Sequence, residues 1–399
     1  MTAGVVRFRR AELLLAAHRR FGPVVRLGPY TCLLGPEANR FVFANSGLFG
    51  VERAFQSLVP VDGPTSLIVS DGEDHGRRRR LVQPALAHRR IAGYAPVMAA
   101  NAEAALDAWR PGAVVDVYQE FRRAIRRSTI EALFGAELAG DADFFGAHLQ
   151  VLINLIDRNP AVVTVLRRLN APAWRNAMRA RRAVDARVYR AIEEAREKGT
   201  AEDDHVLAAL VHGGGDDGLS DLEVRDQVVT LIAAGYETTS AAMAWSVFNL
   251  LRHNGIWERA AEDDEFLGNV VNETLRLYPP AVVSARTATR DFEFAGKRIE
   301  QGTFLLYSPY VTHRLPEVWP DPLRFDPDRW EHKPAPHEFL PFGGGPHRCI
   351  GAGLAVTELT VMLKALLQRP KPVLLAQRVT PVSLAAMRPK QGIKVRVAG

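Results

Sequence analysis

The hydrophobic pattern of this chain is short-range and extended near its start. Residues 22–45 read as strand-like, from Gly22-Pro23-Val24-Val25-Arg26-Leu27-Gly28 to Cys32-Leu33-Leu34-Gly35, with glycines and prolines cutting the run into short strands or hairpins. From about residue 74 to 270 the pattern is mainly helical, in a background rich in Ala, Leu, Arg and Glu. His212-Gly213-Gly214-Gly215-Asp216-Asp217-Gly218 interrupts it as a loop. Ser220 followed three residues later by Glu223 is a capping box and predicts a helix start. No proline follows until Pro279, and the apolar pattern runs to about Leu251, so this helix is long. A further helix is expected over Leu267–Leu277, stopped by Pro279-Pro280. Short strands follow at Phe292–Phe294 and Thr303–Tyr307. A Pro/Asp/Trp-rich irregular stretch spans Pro316–Pro341, and the apolar run from Leu354 predicts one more helix before strand-like C-terminal turns.

At 399 residues, 47% hydrophobic, the chain can bury a large core. No linker, repeat or low-complexity tract divides it, so residues 1–399 are expected to form one domain. Leu13-Leu14-Leu15-Ala16-Ala17 is too short to span a bilayer, and Met1–Arg10 lacks the apolar core of a signal peptide. A soluble, cytoplasmic protein without a membrane anchor is expected. Of the two cysteines, Cys32 sits in a strand-like run as a packed core thiol, and no disulfide is expected. The net charge of +6 admits nucleic acid, anionic surfaces or acidic proteins as partners. The densest basic cluster, Arg77–Arg80, has no interleaved aromatics and no zinc-finger spacing nearby, which argues against nucleic acid.

The strongest chemical signal is Phe342-Gly343-Gly344-Gly345-Pro346-His347-Arg348-Cys349-Ile350-Gly351. A thiolate needs positive charge or backbone N–H donors around it, and the helix expected from Leu354 brings a positive end close to the sulfur. Glycines let the backbone approach a flat macrocycle. This segment resembles the haem-binding signature of the cytochromes P450. Four further motifs stand in that family's order. Ala234-Gly235-Tyr236-Glu237-Thr238-Thr239, inside the long helix, resembles the oxygen-activation motif. There an acid and a hydroxyl lie side by side as a proton relay. Glu273-Thr274-Leu275-Arg276 resembles the E-x-x-R motif, with Arg329 of Phe325-Asp326-Pro327-Asp328-Arg329-Trp330 as its third member. His75 and Arg79, at i and i+4, resemble the H-x-x-x-R pair that binds haem propionates, and Arg286 resembles a further propionate-binding arginine.

The resemblance implies a mainly α fold with small β-sheets, a triangular helical prism whose long central helix lies over the haem. It implies haem b as cofactor and Cys349 as the iron ligand. His75, Arg79, Arg286, His347, Phe342, Ala234 and Gly235 would complete the haem-binding set, and Glu237 and Thr238 would be catalytic. It further implies a monooxygenase acting on a lipophilic small molecule with dioxygen. With no flavin or ferredoxin module in the chain, a separate ferredoxin and ferredoxin reductase would supply electrons. The basic face of Arg77 and Arg78, with Lys364, is expected to receive an acidic ferredoxin. By position, the substrate would meet the loop from Phe55 to Val69, the helix near Leu149 to Ile156, Thr230, Ala233 and Ala234. Ala281 to Ser284 and the turn from Leu384 to Met387 would complete the lining. The small alanines leave room for a bulky lipophile such as a sterol, terpenoid, polyketide or fatty acid. The stretch between Leu251 and Glu273 is shorter than is common in that family.

Two other readings differ in kind. One keeps the fold but uses peroxide or adds no oxygen, against which the Glu237–Thr238 pair argues. The other is a basic helical protein that binds nucleic acid or another anion through Arg77–Arg80. Other chemistries fail on a missing element. His337-Glu338-Phe339-Leu340-Pro341 has proline where a zinc-protease motif needs its second histidine, and the glycines at 213–215 have no G-x-S-x-G partner.

Overall fold

The computed structural model describes residues 6–158, 160–198, 205–383 and 386–399. These group into two compact units. One comprises Met1–Gly50, Ala102–Arg122 and Thr238–Gly399, and the other Val51–Asn101 and Arg123–Glu237.

The first unit holds the sheets. Strand Val24–Leu27 pairs antiparallel with Tyr30–Leu33, which runs parallel to Phe304–Tyr307. Ser284–Ala288 then pairs antiparallel with Phe304–Tyr307, and Phe49–Gly50 closes the edge. The register sets Cys32 against Val25 and Leu306, so its side chain is wholly buried. Burial pushes the thiol up to about 11, which makes it the core residue expected, and neither cysteine is in a disulfide. Residues 36–44 depart from the extended reading and form the helix Pro36–Ala44. Proline at a first helical position gives up an N–H that would have no partner there, so it starts this helix rather than breaking a strand. Two core clusters sandwich the sheet. One centres on Leu33, Val42, Phe49, Leu305 and Tyr307, the other on Leu15, Val25, Leu34 and Leu315.

The second unit is helical. Its described helices include Gly72–Val82, Ala142–Ile156, Pro172–Lys198 and Val206–His212, most of His88–Asp107 and Val117–Ala139, and the N-terminal half of the long helix Asp221–Arg252. That helix starts as its capping box dictates. The Ser220 N–H donates to Glu223 Oε2 at 2.9 Å, and the Glu223 N–H donates back to Ser220 Oγ at 3.4 Å. The helix beyond it, Asp264–Leu277, is held by the Asp263 carboxylate, which accepts from the Phe266 N–H at 3.0 Å. Among the described residues, Gly345–Leu367 is apolar and long enough to cross a membrane, and half of its apolar window is buried in the protein.

Candidate functional site: a cysteine loop and an uncovered helix face

Burial along the long helix singles out one stripe. From Glu223 to Leu250 every residue is buried except Leu231, Ala234, Gly235 and Thr238. Their spacing of three, one and three places them on one helical face. A helix buried on all other sides leaves open the segment that carries the least side-chain bulk. Glu237, one residue before Thr238, points elsewhere and is only 4% exposed. The stripe is therefore shaped for a flat group to lie against, with a hydroxyl at its edge and a buried carboxyl next in sequence.

Cys349 lies in a short loop built by backbone hydrogen bonds. Its N–H donates to the Phe342 carbonyl at 2.9 Å, and the Gly343 N–H donates to the Leu340 carbonyl at 3.1 Å. Two glycines make the loop possible. Gly343 has φ of 66°, and a β-carbon there would meet the Tyr307 hydroxyl at 3.2 Å; one on Gly344 would meet the Phe43 ring at 2.5 Å. The turn Gly345–His347 carries half-buried His347, and helix Ala352–Leu367 starts three residues beyond the cysteine. Cys349 itself is exposed. A lone thiol presented by a tight loop at the positive end of a 16-residue helix is a donor suited to haem iron. The residues present thus fit a haem group.

A buried ionic cluster is linked to the loop through His313. Glu273 and Arg276 have no solvent exposure. Arg276 Nε and Nη2 donate to the two Glu273 oxygens, each at 2.8 Å. The same carboxylate accepts from Arg329 Nε at 3.1 Å, Trp330 Nε1 at 3.1 Å and the Asp326 N–H at 3.0 Å. The remaining Arg276 donors reach the carbonyls of His313, Pro322 and Arg324. The sequence-based triad of Glu273, Arg276 and Arg329 is thereby assembled, and Trp330 joins it.

His313 extends this cluster to the cysteine loop and was not foreseen from the sequence. The Leu340 N–H donates to its Nε2 at 3.0 Å, so its Nδ1 carries the proton toward the Arg276 carbonyl, also 3.0 Å away. Burial, then Arg276, holds its pKa well below the ordinary histidine value, which keeps the ring neutral. Tyr307 was equally unforeseen. Its hydroxyl touches the Gly343 position, and its ring lies 5.3 Å from the guanidinium of buried Arg286. Arg286 Nη1 donates to the Ala285 carbonyl at 2.7 Å and to Ser284 Oγ at 3.3 Å. Neither residue belongs to a local motif; a lone aromatic or histidine carries no sequence signal.

In the second unit, His75 and Arg79 share the helix Gly72–Val82, with His75 buried and Arg79 half-buried. The expectation for Arg77 and Arg78 as a free basic face does not hold. Arg78 is buried, and its Nε donates to Glu223 Oε1 at 2.8 Å. Arg77 also donates to Glu223, and to the carbonyls of Asp217 and Gly218 at 3.2 and 3.1 Å. Burial would raise the Glu223 pKa, but Arg78, Ser220 and Arg77 outweigh it and bring the carboxyl down to about 2. Lys364 is likewise paired, its Nζ 2.6 Å from Asp264.

Of the expected substrate-lining segments, 55–69 is a series of short helical turns rather than an open loop. Ala281 and Val283 are exposed, whereas Thr230 is buried. Leu384, in the expected C-terminal turn, lies outside the described residues.

A family model described as Cytochrome P450 matches residues 9–395. A protein of Mycobacterium tuberculosis named putative cytochrome P450 139 is 48% identical, with 98% of each chain covered. The cyclooctat-9-en-7-ol 5-monooxygenase of Streptomyces melanosporofaciens is 34% identical over 91% of this chain and 85% of its own. Among solved structures, retinoic acid-bound cyanobacterial CYP120A1 superposes with a TM-score of 0.86 at 26% identity, covering 96% of this chain and 93% of its own.

Proposed function

The chain belongs to the cytochrome P450 family and is a haem-dependent monooxygenase, and from that premise we propose that it oxidises a bulky lipophilic small molecule with dioxygen as a single cytoplasmic domain, residues 1–399. The observation that carries the reading is the uncovered stripe of Leu231, Ala234, Gly235 and Thr238 on an otherwise buried helix.

Haem b, when bound, supplies the redox chemistry that activates dioxygen. Cys349 Sγ would be its iron ligand, and the glycine loop holds the Cys349 backbone through its N–H on the Phe342 carbonyl. His75, Arg79, Arg286 and His347 would bind its propionates, and charge-assisted hydrogen bonds suit those carboxylates. Phe342, Ala234 and Gly235 would pack on the ring. The Thr238 hydroxyl hands on the protons that the reaction consumes, and the buried Glu237 carboxyl replenishes them. This acid–hydroxyl pair favours dioxygen over peroxide as the oxidant. A substrate C–H or double bond receives one oxygen atom and the other leaves as water.

The substrate class rests on the apolar lining candidates, of which Ala281 and Val283 are exposed. Cyclooctat-9-en-7-ol and retinoic acid, named for a relative and a structural neighbour, are also lipophilic compounds. A separate ferredoxin, itself served by a reductase, supplies electrons. With Arg77, Arg78 and Lys364 engaged in ion pairs, exposed Arg348 beside Cys349 is the group that faces such an acidic partner. Spectral titration of the holoprotein with sterols, terpenoids, polyketides and fatty acids tests the reading. A saturable shift of the Soret band, with product formed per electron consumed, supports it. A response to none of these classes contradicts it.

A further inference from the structure

Within the segment 61–70, the polar groups of Thr65 and the Leu67 N–H are tied to the first turns of the long helix. Asp226 is fully buried. Its Oδ2 accepts from the Thr65 N–H at 2.9 Å and from Thr65 Oγ1 at 2.7 Å. Gln227, also buried, donates through Nε2 to the Thr65 carbonyl at 2.9 Å and accepts through Oε1 from the Leu67 N–H at 3.2 Å. Both backbone groups of Thr65 are thus held by consecutive side chains of one helix.

Further contacts stiffen this arrangement. Gly63 adopts φ of 87°, and a β-carbon there would fall inside the Asp226 carboxylate, so the chain passes directly over that group. Arg225 Nη1 donates to Asp226 Oδ1 at 2.8 Å, and its Nε donates to Asp185 of helix Pro172–Lys198 at 2.7 Å. Downstream, Arg78 Nη1 donates to Ser70 Oγ at 2.9 Å, and Ser70 Oγ donates to the Ser66 carbonyl at 2.7 Å. Side-chain bonds to a buried carboxylate are of the strong, charge-assisted kind.

We propose that Asp226 and Gln227 are positioning residues that latch the segment 62–67 to the long helix, and that this latch sets the affinity of the enzyme for its lipophilic substrate. The inference rests on the reading above that residues 55–69 line the substrate site. A segment with weaker anchoring opens locally, and local opening lowers affinity by the fraction of molecules that are open. Neither residue touches the reacting atoms, so the effect falls on binding rather than on haem ligation.

The experiment uses purified holoprotein and the lipophilic azole clotrimazole as probe, with carbon monoxide as a small ligand that needs no shaped cavity. Thr65→Val removes the hydroxyl bond to Asp226 while keeping the side-chain shape, and Thr65→Ser restores it. Asp226→Asn takes away the charge and one acceptor oxygen on the helix, and Gln227→Leu removes both Gln227 hydrogen bonds. The expected result is roughly tenfold weaker clotrimazole binding for Thr65→Val, the loss of one strong hydrogen bond, and a loss at least as large for Asp226→Asn and Gln227→Leu. Hydrogen exchange at the Thr65 and Leu67 amides should accelerate in parallel. Thr65→Ser should match the parent, and the carbon monoxide spectrum should be unchanged throughout. Unchanged exchange at these amides overturns the latch. Faster exchange with unchanged clotrimazole affinity also overturns it. Phe55→Ala, in the same segment but outside the latch, separates the two failures. If Phe55→Ala alters clotrimazole binding while the latch variants do not, the latch fails and the lining assignment stands. If none of the variants alters it, the lining assignment has failed as well.

Discussion

Asp62→Asn should stabilise the protein, and more so as pH rises. Asp62 is 5% exposed and sits beside Asp226, with Arg225 the nearest compensating charge. Burial, opposed by Arg225 and assisted by Asp226, pushes its carboxyl from the ordinary value of 3.8 up to about 7. Arg225 cannot neutralise it alone, because Arg225 already pairs with Asp185 and Asp226. Between these pH values the folded protein holds a proton that the unfolded chain has released, so stability falls as pH rises through the window and levels off above about 7. At about 1.4 kcal/mol per pH unit, the accumulated cost at pH 8 is about 4 kcal/mol, against about 1.6 kcal/mol at pH 5. Asparagine has the shape of the neutral acid and does not titrate. The stabilisation by Asp62→Asn should therefore be larger at pH 8 than at pH 5, by about 2.5 kcal/mol as an upper value. Urea unfolding of parent and variant holoprotein, followed by circular dichroism at both pH values, measures the difference, and titrations common to both proteins cancel. An equal effect at pH 5 and pH 8 would refute the reasoning, since it would mean that Asp62 is ionised in the fold throughout.

Glu273→Gln leaves two arginines without their buried carboxylate and should cost about 3–5 kcal/mol, seen as a lower unfolding temperature and loss of the thiolate-type carbon monoxide spectrum. Thr238→Ala should divert electrons to peroxide, with product per electron consumed falling by up to about 10²-fold and Thr238→Ser restoring it; unchanged coupling would remove Thr238 from the proton path. Arg78→Gln should lower urea stability by about 1.5–3 kcal/mol, because its partner Glu223 is buried, and should leave the salt dependence of reduction by an acidic ferredoxin unaltered. A flattened salt dependence would return Arg78 to the docking surface.

Local signals carried much of the architecture. The strand Phe292–Phe294 matches its sequence-based bounds, and the long helix begins at the capping box and ends within a residue of the expected Leu251. The helix expected over Leu267–Leu277 begins at Asp264, three residues earlier than its apolar pattern indicates, because the Asp263 cap lies among acidic residues that hide the hydrophobic period. What escaped were relations between distant positions. Helical geometry separates Arg77 from His75, but Arg78, three residues on, shares the buried face of His75, and nothing local points to Glu223, which meets both arginines from about 145 residues away in the chain. Tyr307 and His313 support the cysteine loop from the far side of Gly343 and Leu340, and no spacing rule connects those positions. The latch on Thr65 is similarly silent, since Asp226 and Gln227 read in sequence as ordinary polar positions of a helix start.

The central claim is that Cys349 is the haem ligand. The direct test is the absorption spectrum of the reduced protein under carbon monoxide, for the parent and for Cys349→Ala. The parent should show the strongly red-shifted Soret band of thiolate ligation, and the variant should lack it while the Glu273 cluster, linked to the loop through His313, still holds the fold. Persistence of that band in Cys349→Ala would contradict the account.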